Sequence, residues 1–460
     1  MIKKSFLSHS PIFQRMLKNT AYLFSATGIS AALSLIQGIF IARLLGVNNY
    51  GILGTMMLFT GVVNNIASFR MDELVVKFVG HYTEIGDTKR AAAVFKIAAL
   101  VEVASSFVAY ALIWLLAPLG AQFFAKDSAL SNWFIIYGVV VLFNLIFESS
   151  TGLMQIFDCF RRIAMLNLLQ SIVTMVLILA AYLISIFVPS DVLFVQHSPM
   201  MIVVVVYMVS KLVGAVGLTG MALREAQQRW GKGWWLTSLS LLNGQWRELI
   251  NFAVSTNLSA TINLINKDSE LLWVAYFRNP TETGYYKLAL TLLNMVQMPV
   301  SPMANATYPE LSREVANKRW KNVKKLLFEG SLVAGGYTLV ASLGLLILGQ
   351  PFIYYAYSAQ YLPTYPALII LLAGVLIANT FYWRRPALLA FGLPEYLTKV
   401  SFWAAVVKTL GYFFFVPSWG YLGCAVLLSG YNIFTSLINT SKAVITLRRR
   451  ETVVELARIS

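Results

Sequence analysis

Long apolar segments separated by short polar stretches alternate along the whole chain. Each segment is longer than the roughly 20 residues that a helix needs to cross a bilayer. Since lipid offers no hydrogen-bond partner to an open sheet edge, we interpret all of them as helices. We place twelve such segments near residues 20–42, 51–78, 92–117, 132–157, 164–188, 199–222, 249–275, 284–307, 327–349, 363–383, 395–416 and 420–446.

The seventh segment is unusual because charged residues interrupt its apolar run, NLSATINLINKDSELLWVAYF. A charge at the centre of a membrane helix costs about 3 kcal/mol on lenient insertion scales, so it needs a partner or a hydrated cavity. On a continuous helix Asn263, Lys267 and Glu270 share one face, and Asp268 lies on the neighbouring stripe. Two interpretations stay open. One is a buried structural pair of Lys267 with Glu270 or Asp268, and the other is the polar wall of a transport cavity.

The composition is that of a polytopic membrane protein. Of the 460 residues, 58% are hydrophobic and only 12% are charged, about half the charged fraction of a soluble domain. Two cysteines and three scattered histidines predict neither a disulfide framework nor a metal site. The sequence contains no nucleophile–base pair and no phosphate-binding glycine loop, so we expect no enzyme and no bound cofactor.

The net charge of +16 reflects membrane topology rather than nucleic-acid binding. If the N-terminus is cytoplasmic, most of the 36 basic residues lie in cytoplasmic loops and tails, and the outer loops hold only Arg43, Lys126 and Arg278. Such an asymmetry follows the positive-inside rule and favours contact with anionic membrane lipid. We therefore expect cytoplasmic termini and no nucleic-acid partner.

The segments divide into two groups of six. We predict a basic cytoplasmic N-terminal segment (1–19), an N-lobe (20–222), a basic, Trp-rich cytoplasmic linker (223–248), a C-lobe (249–446) and a basic cytoplasmic tail (447–460). No loop is long enough to form a separate extramembrane domain.

The two halves are locally similar. IARLLGVNNYGILGTMMLF from Ile41 aligns without gaps with VAYFRNPTETGYYKLALTL from Val274, which pairs Gly51 with Gly284. A parallel repeat of six plus six helices is a transporter architecture, with the substrate site between the halves near mid-membrane. The predicted fold class is therefore an all-α polytopic membrane protein of about twelve transmembrane helices in two related six-helix lobes.

Several motifs resemble those of a known family. They are IARLLGVNNYG (Ile41–Gly51), SFRMDELVVKFV (Ser68–Val79), IFDCFRR (Ile156–Arg162), TGYYKLALTLL (Thr283–Leu293) and YPELSRE (Tyr308–Glu314). In order and spacing they resemble the polysaccharide transporter family, the lipid-linked oligosaccharide flippases of the multidrug/oligosaccharidyl-lipid/polysaccharide (MOP) superfamily. One departure lies in the seventh segment, where the family often carries an aspartate and this chain has Glu270.

The resemblance implies a flippase of the bacterial cytoplasmic (inner) membrane that works by alternating access. It would carry undecaprenyl-pyrophosphate-linked oligosaccharide repeat units to the outer leaflet for O-antigen, capsule or exopolysaccharide synthesis. A proton or sodium gradient would supply the energy. A polysaccharide polymerase and a chain-length regulator would be its partners.

Moving a pyrophosphate across the membrane requires cations inside the membrane-spanning segments. The candidates for a cationic substrate cavity are Arg70, Lys211, Lys267 and Lys408. Lys211 and Lys408 lie near the middle of their segments, too deep for easy snorkelling, so we favour cavity positions over purely structural pairing. Arg70 lies near a segment end, where snorkelling to the interface is the alternative.

Carboxylates inside the segments are the candidates for coupling transport to an ion gradient. They are Glu270, Asp268, Glu102, Glu148, Asp72 and Glu73. A buried carboxylate can take up a proton or hold a cation. For Glu102 and Glu148, pairing with intramembrane lysines and arginines is the alternative.

Neutral polar side chains inside the segments are numerous, and three of them are candidate cavity residues. These are Asn263, Gln37 and Asn64. The alignment of the two halves sets Gln37 opposite Glu270. Interhelical hydrogen bonding is the alternative for each of the three.

Two other functions compete with that of a flippase. A cation-coupled multidrug exporter of the same superfamily would have a more apolar cavity with acids and few cations, and Lys211, Lys267 and Lys408 argue against it. A membrane polysaccharide polymerase or ligase typically carries a long outer loop with catalytic basic residues. Every outer loop of this chain is short.

Overall fold

The computed structural model describes residues 11–69, 71–187, 199–267 and 269–459, with side chains described except at 11–27, 258–267, 305 and 453–459. These residues form helices joined by short turns, and none of them forms a β-strand. The predicted all-α class is confirmed. The chain separates into two compact units.

The first unit contains the described residues of Met1–Leu45 and Thr55–Ser269. It holds most of α1 (Pro11–Ala67) together with α2 (Met71–Leu74), α3 (Gly80–Glu84), α4 (Thr88–Gly120), α5 (Ser131–Gly138), α6 (Val140–Phe143), α7 (Phe147–Ile156), α8 (Phe160–Phe187), α9 (Pro199–Trp230) and α10 (Trp246–Lys267). Single turns of π- or 3-10 helix lie at Val75–Val79, Ala121–Ala125, Ser128–Leu130, Trp234–Leu236 and Leu239–Leu242.

The second unit contains Gly46–Gly54 and the described residues of Glu270–Ser460. Its helices are α11 (Glu270–Phe277), α12 (Pro280–Gln297), α13 (Ser301–Ala316), α14 (Trp320–Phe352), α15 (Thr364–Thr380), α16 (Arg384–Ala390) and α17 (Pro394–Ile459). A π-helical turn lies at Ile353–Tyr357 and a 3-10 turn at Ala359–Tyr361.

Eight helical stretches of the described residues are long and apolar enough to cross a membrane. Two of them, Gly28–Ala67 and Pro394–Thr452, contain 40 and 59 residues, far more than the roughly 20 that one crossing needs. Each is kinked at one glycine, Gly46 (φ 70°) or Gly420 (φ 59°), in a region that residues with a Cβ rarely adopt. Twelve crossings stay a prediction.

Five of the predicted segments are interrupted by non-helical residues. The interruptions lie at 68–69 in the second segment, 139 and 144–146 in the fourth, Ser269 in the seventh, 298–300 in the eighth and 381–383 in the tenth. The eighth contains Pro299, which cannot donate a helical hydrogen bond. Each interruption exposes backbone N–H and C=O groups inside an apolar segment, so these groups need partners from the protein itself.

The predicted Trp-rich linker belongs to the first unit and packs on its helices α3 and α4. Its Trp234 ring lies 5.3 Å from the ring of Phe95 on α4. Lys96 Nζ donates to the carbonyl oxygen of Thr237 at 3.1 Å, and the hydroxyl of Tyr82 donates to Gln245. This segment is therefore held by packing and hydrogen bonds to α3 and α4.

Residues that are paired in the sequence alignment make reciprocal contacts within the second unit. A Cβ on Gly51 would overlap the carbonyl oxygen of Pro280, and a Cβ on Gly284 would overlap that of Val47. The alignment pairs Val47 with Pro280 and Gly51 with Gly284, so each contact is the counterpart of the other. Only glycine allows the two backbones to approach this closely.

Equivalent residues also face each other directly at this crossing. Thr281 Oγ1 donates to Asn48 Oδ1 at 3.4 Å, and the stem of Lys287 lies against Gly54. The alignment pairs Asn48 with Thr281 and Gly54 with Lys287. Contacts between a residue and its own equivalent are typical of a two-fold arrangement. The repeat of two six-helix lobes stays a prediction.

Gly51→Ala and Gly284→Ala are expected to lower the unfolding temperature, because each added methyl group would overlap a backbone carbonyl. Overpacking of this kind costs about 1–3 kcal/mol. Gly61→Ala on α1 is the control, since a Cβ there meets no atom within 4 Å and alanine is the better helix former. Thermal unfolding of the purified protein in detergent measures the effect. Equal unfolding temperatures for the three variants would contradict the close crossing.

Candidate functional site

Four predicted site residues cannot be placed in full. Arg70 and Asp268 lie outside the described residues, and Asn263 and Lys267 belong to α10 but their side chains are not described. Because α10 ends at Lys267 and α11 begins at Glu270, the helical face predicted to contain all three of Asn263, Lys267 and Glu270 does not run through one continuous helix. The other candidates are divided between the two units.

In the first unit, Glu102 binds the start of an interrupted helix. Its side chain on α4 is 4% exposed. The carboxylate accepts from Glu148 N at 2.7 Å, Ser149 N at 2.9 Å and Ser149 Oγ at 2.6 Å. Free N–H groups and a partial positive charge occur at the first turn of any helix. Glu102 thus satisfies the first turn of α7, where the fourth segment restarts after its interruption.

Glu148 connects the first turn of α7 to α2. Its Oε2 accepts from the backbone N–H of Met71 at 3.3 Å. Asp72 follows on α2, and its Oδ1 is buried without a hydrogen-bond partner among the described residues. Glu73 is exposed. The structure therefore brings three of the predicted coupling acids, Glu102, Glu148 and Asp72, into one region of the first unit.

The two described polar candidates differ in their contacts. Gln37 is 5% exposed, and its Nε2 donates to the backbone carbonyl of Ser171 on α8 at 2.7 Å. This bond is of the interhelical kind that was the alternative for Gln37. Asn64 is half-buried on α1.

Lys211 is an exposed cation in the middle of α9. The exposed apolar side chains of this helix form one stripe, made of Met201, Val205, Val209, Leu212 and Val216. At 3.6 residues per turn, Lys211 points roughly a third of a turn away from the middle of that stripe. It makes no hydrogen bond or ion pair with the residues that the structure describes. The Lys211 side chain thus leaves α9 on a different face from the exposed apolar stripe.

In the second unit, Lys408 and Glu270 form a buried ion pair. Lys408 Nζ lies 2.7 Å from Glu270 Oε1, and the two side chains are 2% and 3% exposed. Glu270 is the first residue of α11, where its negative charge is favourable to the helix dipole. Lys408 comes from α17, 138 residues further along the chain.

Sequence reasoning missed the role of Arg384, which it counted only as a cytoplasmic charge. Its Nη1 donates to the carbonyl oxygens of Ala378 at 2.6 Å and Phe381 at 3.2 Å, at the end of α15 where the tenth segment is interrupted. Asn379 in the same turn donates to Thr338 Oγ1 at 3.2 Å. An arginine just after a run of apolar residues is a usable signal, since basic side chains bind the last carbonyls of helices.

The charged candidates of each unit have a distinct chemistry. The first unit has the Lys211 side chain on α9 and a group of carboxylates at the start of α7, and the second unit has a buried ion pair at the start of α11. Among the described residues, no group of three or more His, Cys, Asp or Glu side chains could hold a metal ion.

Residues 16–315 match the family described as polysaccharide biosynthesis protein. The inner membrane protein YghQ of Escherichia coli (strain K12) is 27% identical over 128 residues, which make up 28% of this chain and 34% of YghQ. The matched part is thus about one third of the length of that relative.

Solved transporter structures share the fold at low sequence identity. An inward-facing multidrug resistance MATE family transporter of the MOP superfamily has a TM-score of 0.69 at 14% identity, over 92% of this chain and 96% of that one. The lipid II flippase MurJ in an inward closed conformation has a TM-score of 0.68 at 14% identity, over 94% and 90%. A MOP superfamily transporter from Pyrococcus furiosus has a TM-score of 0.61 at 12% identity, over 95% and 96%.

Glu102→Gln is expected to lower the unfolding temperature, because an amide presents one oxygen and its NH₂ group would face the N–H donors of α7. Loss of a helix cap costs about 0.5–2 kcal/mol, and buried donors without acceptors cost about 1–3 kcal/mol each. Ser149→Ala removes one of the three donors and should have a smaller effect. Thermal unfolding in detergent is the measurement, with the exposed Glu84→Gln as the control. A Glu102→Gln variant as stable as the Glu84→Gln variant would disprove the capping role.

Proposed function

We propose that this chain, which belongs to the polysaccharide biosynthesis protein family, is a flippase for undecaprenyl-pyrophosphate-linked oligosaccharide repeat units. The family assignment that the sequence motifs predicted is confirmed, and the chain is a multi-pass membrane protein with a transporter fold. The proposed direction is from the cytoplasmic to the outer leaflet, for O-antigen, capsule or exopolysaccharide synthesis.

The observation that supports this substrate most directly is the position of Lys211. An ammonium inside a membrane segment is unfavourable unless it lies in a hydrated cavity or has a partner. Lys211 is exposed, lies off the exposed apolar stripe of α9 and makes no ion pair with an acid among the described residues. It is therefore suited to a substrate that brings its own negative charge, such as a pyrophosphate. A cationic drug, the substrate expected of a multidrug exporter, would be repelled by this ammonium.

The other predicted residues are proposed to make additional contacts to the substrate. Arg70 and Lys267 are proposed as further cations for the headgroup, and Asn263 and Asn64 as contacts for the sugars. Lys408 is held by Glu270, so we assign the first headgroup contact to Lys211. The prenyl chain can remain in lipid throughout.

The coupling part of the proposal concerns the acids of the first unit. We propose that Glu102, Glu148 and Asp72 exchange a proton or sodium ion as the transporter alternates between conformations open to the two sides of the membrane. The structure supports this through their proximity and the buried Asp72 oxygen without a described partner. A polysaccharide polymerase and a chain-length regulator are the proposed partners, and cytoplasmic termini the proposed orientation.

Lys211→Ala is expected to slow translocation of a fluorescent prenyl-pyrophosphate oligosaccharide in proteoliposomes. Loss of a charge-assisted hydrogen bond of about 1.5–3 kcal/mol predicts a loss of about 10- to 100-fold at low substrate concentration. Lys211→Arg keeps the charge and should retain most of the rate. Lys325→Ala is the matched control, because Lys325 pairs with Glu329 on the exposed surface.

The same proteoliposome assay distinguishes the flippase from the two competing functions. Export of cationic dyes without oligosaccharide translocation, under any imposed proton or sodium gradient, would replace the flippase proposal by the multidrug exporter. Elongation of the labelled oligosaccharide would indicate the polymerase or ligase. Equal translocation by wild type and Lys211→Ala would remove Lys211 from the substrate site.

A further inference from the structure

The Lys408–Glu270 pair differs from the surface ion pairs of the second unit in its burial. Its two side chains are 2% and 3% exposed, whereas those of the Lys399–Glu395 pair on the same helix α17 are 75% and 88% exposed. A buried carboxylate requires hydrogen-bond donors or a counter-charge, because desolvation is costly for an ion that has no partner. The ammonium of Lys408, 2.7 Å away, is such a partner for Glu270.

The surroundings of Lys408 Nζ have the chemistry of a small cation site. Nζ contacts the Glu270 carboxylate. The ring centroid of Tyr431 lies 4.8 Å from Nζ, and that of Tyr412 lies 5.9 Å from it. Aromatic faces attract ammonium and other monovalent cations. Tyr412 is fully buried, and its hydroxyl has no hydrogen-bond partner among the described residues.

The site is built from separate parts of the chain that are fixed in place. Glu270 begins α11, and its backbone carbonyl accepts from Cys424 Sγ at 3.6 Å on the part of α17 that follows Gly420. The Tyr412 ring stacks on Trp273 of α11 with centroids 5.3 Å apart. Lys408 lies on the part of α17 before Gly420. The backbone of Glu270 and the ring of Tyr412 are therefore held by contacts other than those of the lysine side chain.

We propose that Glu270, Tyr412 and Tyr431 form a cation site that the chain fills with its own ammonium group, that of Lys408. A cation tethered to the chain cannot diffuse away into the solution, and a group held in the right geometry competes with dissolved ions at a high effective concentration. The site therefore takes up no dissolved coupling cation in the native protein. Within the proposed function, ion exchange is then left to the carboxylates of the first unit.

Chemical rescue of Lys408→Ala tests the proposal in the full-length protein. The alanine keeps Cβ, so the part of the side chain that is lost corresponds to n-propylammonium. In buffer whose only cation is bulky N-methylglucamine, the variant should unfold at a lower temperature than wild type, because Glu270 has lost its counter-charge. Adding n-propylammonium, sodium or potassium should raise that temperature. n-Propanol has the same carbon chain without the charge and should have no effect.

Two further variants assign the effect to this site. Lys408→Ala combined with Glu270→Gln removes both charges, and its unfolding temperature should no longer respond to the cations. Lys399→Ala leaves Glu395 exposed to water and should respond no more than wild type. Equilibrium dialysis with radioactive sodium should show binding to Lys408→Ala that the double variant lacks.

Two results would overturn the proposal. One is an unfolding temperature of wild type that rises with sodium or potassium and loses this response in Glu270→Gln, because the native site would then take up a dissolved cation. The other is a Lys408→Ala variant that folds and responds to no cation. If Lys408→Ala cannot be purified, Lys408→Gln, which also removes the charge, undergoes the same measurements. Because these experiments use no oligosaccharide, they remain decisive even if the flippase proposal fails.

Discussion

The absence of water from the bilayer interior is the constraint on which this structure depends. Every backbone group released by a helix interruption has to find a partner within the protein. Five of the apolar segments are interrupted, and two of them illustrate how side chains satisfy the released groups. Glu102 accepts from the first N–H groups of α7, and Arg384 donates to the last carbonyls of α15. In each case the charge of the side chain is opposite to that of the helix end it binds.

The same constraint explains why the buried charges of the two units are satisfied differently. In the first unit, a carboxylate is held by neutral N–H and O–H donors, which carry no full charge and leave it able to gain a proton or a cation. In the second unit, the Glu270 carboxylate is held by the ammonium of Lys408, and the pair as a whole is neutral. Two acids that are equally deep in burial can therefore have different functional capacities.

The crossing at Gly51 and Gly284 has a different physical basis. Without a hydrophobic driving force between helices in lipid, close association depends on van der Waals packing, and glycine permits the shortest approach. Here each glycine lies against a carbonyl of the other segment, and the two contacts are counterparts in the sequence alignment. The residues that the sequence alignment pairs are thus the same residues that make equivalent contacts in the structure. A slip of one residue in the alignment would have lost this correspondence.

The sequence by itself determined the helical class, the approximate extent of the apolar segments and the family, because hydrophobicity and length are local properties of a membrane helix. It also indicated that Glu270, Lys408 and Glu102 were buried charges requiring an explanation. It could not identify their partners. Helical periodicity relates only residues of one uninterrupted helix, and it offered Lys267 as one possible partner of Glu270. The tertiary structure shows Lys408, 138 residues away, as a partner, because packing of α17 against α11 brings the two together. It likewise gave Glu102 a helix N-terminus as its partner, since free N–H groups appear only where folding interrupts a helix.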